Sequence, residues 1–73
     1  MSLVQRFLAE EGRAYVKARL EKVDASQVLV EFNFNVFDML VDFERELVRV
    51  DDSLDTTKSE EMPLAQFRSL LAG

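Results

Sequence analysis

An α+β fold is predicted for this chain: a short N-terminal helix, an antiparallel β-meander of three or four strands, and a C-terminal helix. Three observations carry that expectation. Apolar side chains recur at helical spacing over residues 3–8, at a period of two over much of 14–50, and at helical spacing again over 64–71. A chain of 73 residues makes one domain, residues 1–73, and 48% hydrophobic with 32% charged is ordinary for a folded globular chain.

The first helix is bounded at both ends. Ser2 can cap it, Gln5 stands three residues on to complete a capping box, and Leu3, Val4, Phe7 and Leu8 make one apolar stripe. Gly12 sits where a left-handed residue is wanted after the last turn, so the helix runs over residues 3–11. From Arg13 the pattern changes. Ala14, Val16, Ala18 and Leu20 alternate with Arg13, Tyr15, Lys17, Arg19 and Glu21, which predicts a half-buried strand. Beyond Asp24-Ala25-Ser26, Val28, Val30, Phe32, Phe34 and Val36 alternate in turn. The two runs predict a hairpin pairing Leu20 with Val30, Ala18 with Phe32 and Val16 with Phe34.

At Val36–Phe37 the phase reverses, and Phe37, Met39, Val41 and Phe43 become the apolar set. A turn at Asn35–Asp38 or a bulge in one long strand accounts for the reversal. A loop at Glu44–Leu47 then pairs Phe43 with Val48 and Val41 with Val50, setting Asp42 opposite Arg49. A helix over 36–50 competes, because Asp38, Asp42, Arg45, Glu46 and Arg49 share one arc of a helical wheel. Glu44 would fall in its apolar arc, however, and Val, Phe and Asp are mediocre helix formers, so strands are preferred. Residues 51–61 read as a polar connection, and Met62-Pro63 opens the last helix with Leu64, Phe67 and Leu71 as its stripe. The two helices are expected to cover one face of the sheet, leaving two edge strands that no Pro guards.

Composition removes most chemistry. With no His and no Cys there is no imidazole base, thiolate, disulfide or nitrogen/sulfur metal site. Gly12 and Gly73 are the only glycines, too few for a phosphate-cradling loop. Asp42/Glu44 and Asp51/Asp52 are paired carboxylates, yet nothing in the pattern implies a cleft that would set their pKa values apart. Asp51, Ser53 and Asp55 have the spacing of a calcium loop's first ligands. Thr56 stands where that loop needs Gly and Met62 where it needs Glu. The expectation is a protein that is not an enzyme, with no cofactor and no metal. No run approaches the roughly 18 apolar residues of a spanning helix, and Met1–Glu11 lacks the basic flank and apolar run of a signal peptide. A cytoplasmic protein without a membrane partner is expected.

Charge is unevenly laid out. The net charge is −5; residues 1–30 carry 5 basic and 4 acidic side chains, whereas residues 31–61 carry 3 basic and 10 acidic. A field of one sign speeds docking of the opposite sign and rejects its like. The expected function is therefore a non-enzymatic interaction domain, acting by self-association as a homodimer or by docking to a larger basic protein. Val36 and Phe37, apolar at a loop tip, and Asp42, Glu44 and Glu46 are its candidate partner-binding residues. The alternative is a small β-barrel that binds nucleic acid through Arg13, Tyr15, Lys17 and Arg19, cations interleaved with one aromatic. The acidic balance of the chain disfavours that alternative.

Overall fold

The structure, a computed structural model, describes residues 2–24 and 26–72. Helices α1 (Leu3–Glu11) and α2 (Arg13–Glu21) precede strands β1 (Leu29–Asn33), β2 (Phe37–Asp42), β3 (Leu47–Asp52) and β4 (Ser59–Pro63), and α3 (Leu64–Ala72) closes the chain. The strands form one antiparallel sheet in the order β1-β2-β3-β4. All three helices lie on the same face of it, around a core that includes Phe7, Phe37, Met39, Val41, Val48, Val50 and Phe67. The α+β meander expected from the sequence is present, with one more helix and the full four strands.

Helix α1 forms where its caps put it. The Ser2 hydroxyl accepts from the Gln5 N–H, the Gln5 side chain accepts from the Ser2 N–H, and Gly12 ends the helix at φ +89°. Gly12 also starts the next helix, since its carbonyl accepts from the Val16 N–H at 3.1 Å. One more cap arrives from far along the chain. The Glu60 carboxylate accepts from the Val4 N–H at 2.8 Å, placing a negative charge at the positive end of the α1 dipole.

The strand expected at Ala14–Leu20 is instead α2, and the hairpin pairing it with Val28–Val36 does not exist. Ala, Arg, Lys, Leu and Glu are strong helix formers, and counting Ala14 and Ala18 as apolar created a period of two that burial does not honour. Only Val16 and Leu20, four apart, are buried on α2. The pairs Lys17–Glu21 (4.0 Å) and Arg19–Tyr15 (3.1 Å), also four apart, flank that buried stripe on its two sides. Of the expected Asp24–Ser26 loop, Ala25 lies outside the described residues; the Asp24 carboxylate accepts from the Ser26 N–H at 2.9 Å.

The phase reversal at Val36–Phe37 is a turn. Phe34 donates its N–H to the Phe37 carbonyl at 2.8 Å across Asn35-Val36, and β1 and β2 pair Asn33 with Asp38 and Phe32 with Met39. Residues 37–52 are two strands and no helix. Their register differs from the expected one by two residues: Val41 faces Val48 and Met39 faces Val50. A shift of two leaves every side chain on its own face, so apolar patterning cannot choose between the registers. Turn chemistry chooses: Asp42 caps the Arg45 N–H at 2.9 Å and Glu46 adopts φ +56°, which closes a four-residue loop over 43–46.

Residues 51–61 are not a plain connection, because β3 continues to Asp52 and Ser59–Pro63 is the fourth strand. Its inward positions are Glu60 and Met62, and Glu60 is occupied in capping α1, which hides the apolar alternation. Pro63 is the last residue of this strand and not the first of α3. The β4 edge therefore does carry a Pro, contrary to expectation. Leu64 donates to the Glu46 carbonyl and Asp52 to the Lys58 carbonyl, so even-numbered positions of β4 bond to β3 and Pro63 points its nitrogen to the free side.

Candidate functional site

The face of the sheet away from the helices is assembled by the register into three rows running from β1 to β4. The first holds Leu29, Asp42, Leu47 and Pro63; the second Glu31, Leu40, Arg49 and Glu61; the third Asn33, Asp38, Asp51 and Ser59. Antiparallel sheets commonly leave one face to water with polar side chains on it. Here the polar set is of nearly one sign. Glu31, Asp38, Asp42, Asp51 and Glu61 supply five carboxylates against the single guanidinium of Arg49, which pairs with Asp51 at 3.2 Å. Leu40 and Leu47 sit half-buried among these charges, and Leu29 is 58% exposed at the β1 edge. A shallow hollow of about 130 Å³ on this face is lined by Leu29, Leu40 and Leu47, with Asp42 and Glu61 set against Arg49 and against Arg45 of the adjoining loop.

Two of these carboxylates oppose one another directly. Asp38 and Asp51 are cross-strand partners on β2 and β3, with Asn33 and Ser59 as their outer neighbours. Like charges in that relation destabilise a sheet. Both belong to the interior strands, where the fold gives no reason for the repulsion.

The residues expected to bind a partner divide into two groups. Asp42 lies on the open face, and Glu44 and Glu46 are exposed on the adjoining 43–46 loop, so these three come together. Val36 and Phe37 are at the opposite end of β2 and form no apolar tip. Phe37 is fully buried, its ring 5.3 Å from that of Phe7 and covered by the Arg6 guanidinium at 5.2 Å. Val36 is half-buried, and its carbonyl accepts from Ser53. The Asn35-Val36 turn is tied to the β3–β4 connection through Ser53, and the residues flanking it, Phe34 and Phe37, pack on Phe7 of α1, which patterning alone does not reveal.

Arg13, Tyr15, Lys17 and Arg19 are on α2 and not on a strand, and the sheet is open rather than closed into a barrel. At 100° per residue they split into two pairs on different sides of the helix. Arg19 is stacked over Phe34 (5.1 Å), Phe32 (5.7 Å) and Tyr15 (5.8 Å), and donates to the Tyr15 hydroxyl. Its charge is turned inward against aromatic faces and covers the β1 end of the core.

The adjacent carboxylates point apart. Asp51 faces the open side, whereas Asp52 is on the helix side, 8% exposed, and is bound by the Arg6 guanidinium and by the Leu54 and Asp55 N–H groups at 2.9 and 3.2 Å. Those bonds, the Leu54 amide first and Arg6 next, hold the Asp52 carboxyl below the usual carboxylate range. Asp55 is likewise lowered, by the Thr57 hydroxyl and amide. Both serve the β3–β4 loop. Among the described residues no three His, Cys, Asp or Glu side chains converge as a metal site, and no helix is long and apolar enough to cross a membrane.

Of Glu31, Asp38, Asp51 and Glu61, the sequence singles out only Asp51, as half of a carboxylate pair and as a first calcium-loop position, and places none of the four on a partner-binding face. The alternation of Glu31 and Asp38 with apolar neighbours was visible, but their common face depends on the register across four strands. Compared with protein-family models, with curated proteins and with solved structures, the chain finds no match in any of the three.

Proposed function

We propose that the protein is a non-enzymatic docking module of the cytoplasm that engages a basic protein partner through the open face of its sheet. The observation that carries this reading is the excess of carboxylates at the outward strand positions, five against Arg49 with Arg45 at the margin, kept in spite of the Asp38–Asp51 repulsion. A fold with no use for those charges would be more stable without that pair. Apolar side chains on a face with a marked excess of one charge suit a surface that is steered electrostatically and anchored by modest burial. Self-association is less favoured, because two copies would oppose surfaces of the same sign, and nucleic acid would be repelled by them.

The test is the association rate with an immobilised lysine-rich peptide. Asp38→Lys/Glu61→Lys should slow association by roughly tenfold or more at low salt, with the difference shrinking as salt rises. Glu10→Lys/Glu21→Lys changes net charge equally but on α1 and α2, and should slow it far less. Equal effects of the two pairs would leave only net charge at work and would overturn the reading.

A further inference from the structure

The two edges of the sheet are not equivalent. Val28 accepts from the Phe43 N–H at 2.7 Å and Phe34 donates to the Phe37 carbonyl at 2.8 Å, so the even-numbered residues of β1 bond to β2. Leu29, Glu31 and Asn33 therefore turn their N–H and C=O groups to the free edge, and among the described residues nothing bonds to these groups. On β4 the corresponding positions are Ser59, Glu61 and Pro63, of which Pro63 has no N–H to offer. Val28 and Leu29 are 52% and 58% exposed at the start of β1, whereas the exposed Leu54 belongs to the β3–β4 connection and not to the β4 edge. An unblocked run of main-chain donors and acceptors beside exposed apolar side chains is a template for one more strand.

We propose that an extended basic segment of the partner adds to β1 as a fifth strand, with its main chain pairing to Leu29, Glu31 and Asn33. The proposal rests on the docking reading and specifies its geometry. Side chains of the incoming strand opposite those three residues fall on the open face. The one opposite Glu31 meets a carboxylate whose inner neighbour is Leu40, with no ion-pair partner among the described residues, and a Lys or Arg suits it. Two positions away, opposite Leu29, an apolar side chain is favoured. The expected segment thus alternates and carries a basic and an apolar residue two apart. Charge decides against a second copy as occupant, since it would bring another carboxylate-rich face to the same edge.

The test uses an acetylated seven-residue peptide with Leu, Lys and Lys at its second, fourth and sixth positions and Thr at the others, its N-methylated counterpart, and isotope-labelled protein at about 20 mM salt, where surface charges are weakly screened. The unmodified peptide should slow amide exchange at Leu29, Glu31 and Asn33 and leave Ser59 and Glu61 unchanged. Methylation of alternate peptide nitrogens keeps every charge but removes strand pairing, and should weaken binding at least tenfold. Glu31→Lys should weaken it about fivefold to tenfold, an attraction being replaced by a repulsion of cross-strand size. Glu31→Pro should abolish it while the thermal transition persists, since the lost N–H faces away from β2. Equal binding of both peptides, or protection spread over the sheet face, would overturn strand addition and leave face docking standing. No binding of either peptide would overturn both.

Discussion

Replacing Asp38 by Lys should make the protein more stable and a poorer binder at once. Asp38 faces Asp51 across β2 and β3, and its neighbour on the other side is the uncharged Asn33. A directly opposed like-charge pair costs on the order of 0.5 kcal/mol and an opposite-charge pair contributes a similar amount. The substitution converts one into the other, a gain of about 1 kcal/mol, or a rise in Tm of about 4–8 °C for a domain of this size. Asp51 already pairs with Arg49 at 3.2 Å, which places the gain toward the lower end. Thermal and urea unfolding followed by circular dichroism would measure it. At about 1 M salt the difference should largely vanish, and Asp38→Lys/Asp51→Lys, which restores like charges, should surrender it. An Asp38→Lys protein no more stable than the parent, or a double variant that keeps the gain, would refute the argument that this face is held under electrostatic strain.

Three further outcomes are expected. Because the folded state lowers the Asp52 carboxyl, its stabilising effect is complete above the ordinary carboxylate value and drains away as pH falls through the folded one; Asp52→Asn should flatten that acid limb in urea titrations. Gly12→Ala should cost about 1 kcal/mol in chemical denaturation, from backbone strain alone, since a Cβ there meets nothing within 4 Å but φ is +89°. Phe37→Ala should cost roughly 3–5 kcal/mol, a large part of the roughly 4–11 kcal/mol available to 73 residues; a cost below about 1 kcal/mol would restore Phe37 to an exposed tip.

What the sequence discloses about this fold depends on how local the deciding chemistry is. The bounds of α1 are legible because Ser2, Gln5 and Gly12 act within a few residues of one another. Helix α2 is not, since Ala14 and Ala18 satisfy an alternating pattern without being buried. Strand β4 is concealed because Glu60, an inward position, answers to a helix N-terminus 56 residues away. The acidity of the middle of the chain is plain from composition, and Asp42, Glu44 and Glu46 were locatable from it. The joining of Glu31, Asp38, Asp51 and Glu61 into one surface is a product of strand register, which apolar periodicity leaves free to slide by two.

Pro63 on one border of the sheet and bare main chain on the other have a consequence for stoichiometry. Strand pairing is favoured at β1, because on β4 Pro63 withholds the N–H of one of the three outward positions. Under strand addition at β1 the expected complex is therefore self-terminating, one module to one segment, with a fixed mass in place of filaments.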